Sequence, residues 1–107
     1  MDSAQEHYEL IGLTLSKELG TTMGKMFGAP CLKIGKKAFA FLFHDEMVFK
    51  LGKEDAAYLL KEFPGATLFD PSGKNKPMTA WIQVPAQHLN QWEGLARHAL
   101  EYVQATT

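Results

Sequence analysis

The sequence predicts an α+β domain: an antiparallel sheet of about five strands flanked by helices, in the order α, β, meander, α, β, β, α. Strand signals come in runs and do not alternate with helices, which argues for an antiparallel sheet. The central run from Leu32 to Leu51 alternates large apolar residues and is interrupted by turn-forming residues. Helical periodicity with capping signals stands at both ends of the chain.

The first helix is expected from about residue 4 to 19. Ser3-x-x-Glu6 has the form of a capping box. Tyr8, Ile11, Leu15 and Leu19 recur at helical spacing, and Gly20 stands where a helix ends in the left-handed conformation. A strand is expected between Thr21 and Gly28. A two-residue turn at Gly35-Lys36 would pair Ile34 with Lys37 and Leu32 with Phe39. A three-residue loop, His44-Asp45-Glu46, would pair Phe43 with Met47, Phe41 with Phe49 and Phe39 with Leu51. This register gathers the large apolar residues on one face. Glu54 and Asp55 suit the first turn of a second helix, which bears Ala56, Leu59, Leu60 and Phe63 and stops at Pro64-Gly65. Thr67 to Asp70 and Thr79 to Val84 are the last strands, separated by the turn-rich loop from Asp70 to Pro77. Asn90-x-x-Glu93 is read as a second capping box before a final helix with Leu95, Ala96, Ala99, Leu100 and Val103.

At 107 residues the chain is expected to form a single domain, 1–107. Its 46 % hydrophobic content suffices for an ordered core. Eleven basic and twelve acidic residues leave a net charge of −1, so tight independent nucleic-acid binding is not expected. A lone cysteine, Cys31, forbids a disulfide within the chain. The first six residues lack the basic and apolar regions of a signal peptide, and the apolar run from Ala38 to Phe43 is too short to span a bilayer. A cytoplasmic location without membrane attachment is expected.

Landmarks spread from Met26 to Val103 carry a resemblance. They are Met26-Phe27-Gly28, Gly35-Lys36 followed by Phe39-Ala40, Val48-Phe49-Lys50, Met78-x-x-Trp81-x-x-Val84-Pro85, and the closing helix with Leu95 and Ala99. In order and spacing they resemble the amino-terminal domain of the TfoX competence-regulator family. The resemblance implies an antiparallel sheet flanked by helices. It also implies regulation of natural competence together with a transcription activator as protein partner. The family usually carries a tyrosine where Trp81 stands. The resemblance supplies no catalytic residues.

The residues by themselves point to no reaction. Cys31 and His44 would form a nucleophilic pair only in contact, yet the expected register separates them by roughly 13 Å. His44-Asp45-Glu46 reads as a surface turn, because neighbours in a tight turn diverge. His88 and His98 lack the spacing of a zinc pair, and His7 sits on an exposed part of the first helix. No metal or other cofactor is expected. Ser72-Gly73-Lys74 departs from a phosphate loop at Leu68 and Asn75. Gly24 and Gly28 do not make a dinucleotide fingerprint. Lys25, Lys33, Lys50, Lys74 and Lys76 read as a solvated face, and Trp81 and Trp92 as packing residues.

One face invites a partner. The expected register sets Leu42 opposite Val48 and Ala40 opposite Lys50, pointing away from the phenylalanines and rimmed by Lys33 and Lys50. Either one of the chain's own helices covers this face, in which case Leu42→Glu would unfold the domain, or a partner does, in which case Lys33, Leu42, Val48 and Lys50 are the candidate partner-binding residues. The expected occupant is a protein, either a transcription activator or a second copy of the chain. On this reading Leu42→Glu would leave the melting temperature unchanged and abolish association. The function expected is a non-enzymatic interaction module. The alternative is a small-molecule-binding domain or enzyme with a site near the Lys74 loop.

Overall fold

Reciprocal capping starts α1 (Ala4–Leu19): Glu6 N donates to Ser3 Oγ, and Ser3 N donates to Glu6 Oε1, each at 3.1 Å. Gly20, at φ 74°, ends the helix in the left-handed conformation that a side chain would resist. These features belong to a computed structural model that describes residues 3–26, 28–74 and 76–106. Phe27 of the family landmark and Asn75 of the loop lie outside the described residues.

The strands are β1 (Thr22–Met26), β2 (Ala29–Ile34), β3 (Lys37–Phe43), β4 (Glu46–Lys50), β5 (Thr67–Phe69) and β6 (Met78–Val84). They form one antiparallel sheet of six strands in the order β1-β2-β3-β4-β6-β5. Helix α2 (Lys53–Leu59) follows β4, and α3 (Trp92–Ala105) closes the fold. The α+β class is therefore as expected, with one strand more. Gly52, between β4 and α2, has φ 92°, and a Cβ there would meet Tyr102 Cε1 at 2.6 Å. Glycine lets the chain turn under the end of α3.

The β3–β4 register differs from the expected one. The turn consists of His44 and Asp45 alone, with His44 at φ 57°. Phe43 pairs with Glu46, Leu42 with Met47, Phe41 with Val48, and Ala40 with Phe49. A two-residue hairpin matches the twist of its strands when its first turn residue is left-handed, and His44 adopts that conformation without being glycine. Between β2 and β3, Leu32 pairs with Ala40 but Lys33 pairs with Ala38. Phe39 is the extra residue of a bulge, so Phe39 and Ala40 turn to the same side.

Together these two features divide the apolar residues between two cores. On the inner face Leu32, Phe39, Ala40, Leu42, Met47 and Phe49 pack with Tyr8, Ile11 and Leu15 of α1 and with Trp92, Leu95 and Ala99 of α3. On the outer face Ala29, Cys31, Phe41, Val48, Phe69 and Trp81 form a second cluster. The expected single phenylalanine stripe is thus split.

The outer cluster is closed by the sheet itself. Phe69 on β5 lies three strands away from Phe41 on β3, which in a flat sheet is roughly 14 Å. Their ring centroids are 5.0 Å apart, and Phe43 and Phe69 are separated by 5.2 Å. The sheet must therefore curl about this face. The pairing jump from Leu68↔Ile82 to Phe69↔Met78 leaves Thr79, Ala80 and Trp81 as extra residues on β6, the strand that bends at such an irregularity. Phe41 and Val48 are fully buried as a result.

The second expected capping box does not form. A 3-10 segment, Ala86–Gln91, runs directly into α3, and Gln91 already has helical angles. A capping residue needs an extended backbone, which this junction does not offer. Glu93 instead bonds to Arg97, which also reaches Glu18 at 3.0 Å and ties α3 to α1.

Candidate functional site

The four expected partner-binding residues do not share a face. Lys33, Val48 and Lys50 lie on the outer side of the sheet, and Leu42 lies on the inner side beneath the helices. Leu42 is 4 % exposed and Val48 is fully buried. Lys50 Nζ stands 5.7 Å from the Trp81 ring centre, and the Lys33 stem crosses Gly24. Both lysines lay their stems over apolar surface, as long cationic side chains do. The one-residue change of register moved Leu42 away from the other three.

The outer face offers little chemistry. Burial pushes the Cys31 thiol above its ordinary pKa, partly countered by Lys33, so the reactive thiolate is disfavoured. Cys31 pairs with Phe41, three residues short of His44, roughly 10 Å along the strand. Trp81 is 6 % exposed and packs on Phe41 at 5.5 Å, which leaves its ring no open face for stacking.

The histidines are dispersed, each with a local neighbour. His7 Nδ1 is 3.4 Å from Ser3 O, His88 Nε2 is 2.9 Å from Pro64 O, and His98 Nε2 is 2.8 Å from Asp55 Oδ2. The His44 ring packs edge-on against Phe43. Among the described residues, no three His, Cys, Asp or Glu side chains come together as a metal would require.

The Lys74 loop is organised around Asp70. Asp70 Oδ1 accepts from Ser72 N, Ser72 Oγ and Gly73 N, and Oδ2 accepts from Lys76 N. The amides a phosphate would need are thus committed to the chain's own carboxylate. The Ser72 hydroxyl first, and then the amides, hold the Asp70 carboxyl below its ordinary value of 3.8. A depressed pKa favours the ordered loop at higher pH and releases it as the pH falls through that depressed value. The amide resonances of Ser72, Gly73 and Lys76 are expected to titrate together with a midpoint below 3.8. Asp70→Ala should abolish this titration; its persistence in the variant would assign the loop's order to another group.

Two further surfaces stand out, and neither carries a motif of residue types and spacing that marks a site in the sequence. An open cleft of about 360 Å³ is lined by Leu51, Gly52, Lys53, Glu54, Asp55 and Tyr102. Its walls are turn and helix-end residues, and Asp55 is held by His98. The second surface is the outward face of α1. Leu10 and Leu13 are 63 % and 58 % exposed, while Tyr8, Ile11 and Leu15 on the opposite side are buried. An amphipathic helix normally turns polar groups to water, so two large leucines there depart from the pattern. The periodic set that predicts α1 includes three buried residues, Tyr8, Ile11 and Leu15, and the exposed Leu19, and Leu10 and Leu13 are apolar residues off that set.

The chain matches no family model, no curated protein and no solved structure. The resemblance to the TfoX family rests on the sequence landmarks alone. Among the described residues, no helix is long and apolar enough to cross a membrane.

Proposed function

We propose that the chain is a non-enzymatic protein-interaction module of the cytoplasm, working in transcription or competence regulation. The observation that carries the interaction role is the pair of exposed leucines on α1. Covering such side chains is favourable by about 25 cal/mol per Å² of apolar area removed from water. A surface helix presents them at no gain to its own fold. The regulatory setting comes from the resemblance to the TfoX family, whose members act with a transcription activator. A net charge of −1 fits a protein whose partner makes the contacts to DNA. A single free, buried cysteine fits a reducing compartment.

The double variant Leu10→Gln/Leu13→Gln tests the reading. Both sites are exposed, so the variant should melt within a few degrees of wild type. It should lose a transcription protein that wild type captures from native cytoplasm, and cells carrying it should transform less frequently. Capture of the same proteins by both forms, with unchanged transformation, would remove the basis for the proposal.

A further inference from the structure

The exposed leucines belong to a longer stripe. Glu6, Leu10, Leu13 and Lys17 are all exposed on α1. Their spacing of four, three and four residues places them within an arc of about 60° on the helix. That arc lies opposite the side that carries Tyr8, Ile11 and Leu15 onto the sheet. Leu10 also lines a cleft with Leu89, Asn90 and Glu93 at one side of the stripe, while the exposed outward surface of Leu10 and Leu13 faces solvent.

The stripe is also complementary to itself. Leu10 and Leu13 are placed symmetrically about the midpoint between residues 11 and 12, and so are Glu6 and Lys17. When two such helices run antiparallel across a two-fold axis, Leu10 meets Leu13 of the second copy and Glu6 meets its Lys17. A parallel arrangement would set like charges against each other at both ends, which is unfavourable. The capping bond uses Glu6 Oε1 and leaves the second carboxylate oxygen for the lysine. We propose that α1 pairs antiparallel with α1 of a second copy of the chain, through leucines flanked by two Glu6–Lys17 ion pairs. Such an interface is isologous, the commonest kind in homodimers.

The proposal rests on reading this face as an interaction surface, and it names the occupant. Two leucines from each chain make a small interface, below the standard size for stable complexes. The expected dissociation constant is on the order of 100 µM.

Sedimentation equilibrium of the purified chain, from about 10 µM to 1 mM, reads the association directly. Wild type should approach the mass of two chains at the upper end. Lys17→Glu replaces two attractions by two repulsions, and should weaken association about tenfold, more at low salt. Glu6→Lys should do the same. An equimolar mixture of the two variants should associate as wild type does, because an all-acidic stripe then meets an all-basic one. Glu6→Lys also removes a capping group, so circular dichroism must show a folded helix before the mixture is judged. If that variant fails to fold, the wild-type, Lys17→Glu and Leu13→Gln samples decide. A wild type that stays monomeric throughout overturns the proposal. So does a dimer indifferent to Lys17→Glu and Leu13→Gln, or a mixture of folded variants that fails to associate. A monomeric wild type leaves the interaction-module reading to its own capture experiment. Unchanged capture by the double variant overturns that reading whatever the mass of the purified chain.

Discussion

Phe41→Ala is expected to cost ~3–5 kcal/mol of folding stability. Phe41 is fully buried at the centre of the outer cluster. Its ring meets Phe69 at 5.0 Å, Trp81 at 5.5 Å and Phe43 at 6.5 Å between centroids. Removing it leaves a cavity that these rings fill only by uncurling the sheet, and aromatic pairs contribute about 0.5–1.5 kcal/mol each beyond area burial. Domains of this size have roughly 5–15 kcal/mol in total, so the loss is a large share. Urea and thermal unfolding of the variant measure it. Phe43, at the half-buried edge, should cost less when cut to alanine. A Phe41→Ala variant melting within a few degrees of wild type would mean that the outer cluster contributes little.

Leu42→Glu is expected to unfold the domain at neutral pH. An open sheet face at Leu42 would have tolerated the change, but Leu42 is packed in the inner core with Leu95, Ala96 and Ala99 of α3. The substitution loses a buried apolar side chain and places a carboxylate within an apolar core, away from water. The combined cost is on the order of 5 kcal/mol or more. Burial raises the pKa of such a carboxyl, so the folded state binds the proton more tightly than the unfolded one. The destabilisation should therefore ease as the pH falls through that raised value and be greatest above it. Far-ultraviolet circular dichroism and melting between about pH 4 and 8 follow the effect. A folded Leu42→Glu variant at neutral pH, with the melting point of wild type, would contradict the register of β3 and β4.

The two substitutions act on neighbouring residues of one strand and probe opposite faces of the sheet. In this double-sided core Leu42 and Val48 are both buried and lie on opposite faces of the sheet. The core also makes α1 informative. With both sheet faces closed, the helix carries large exposed leucines on the side turned away from the core.

The local features were legible in the amino acids. Ser3 and Glu6 start α1, Gly20 ends it, and Gly35-Lys36 turns β2 into β3 with Ile34 opposite Lys37. Each depends on groups within a few residues of one another, so backbone sterics and single hydrogen bonds determine them. The α+β class was legible for a related reason, because runs of strand signals constrain the layers whatever the register. Register was not legible. Lys37 to Phe43 is apolar on both sides, so alternation supplies no polar face to choose between neighbouring pairings. The left-handed His44, the bulge at Phe39 and the irregularity of β6 opposite Leu68 and Phe69 settled the choice. Tertiary structure alone therefore decided that Phe41 and Leu42 belong to different cores. The same dependence on distant packing explains the missing cap at Asn90, where a 3-10 turn leads the chain straight into α3.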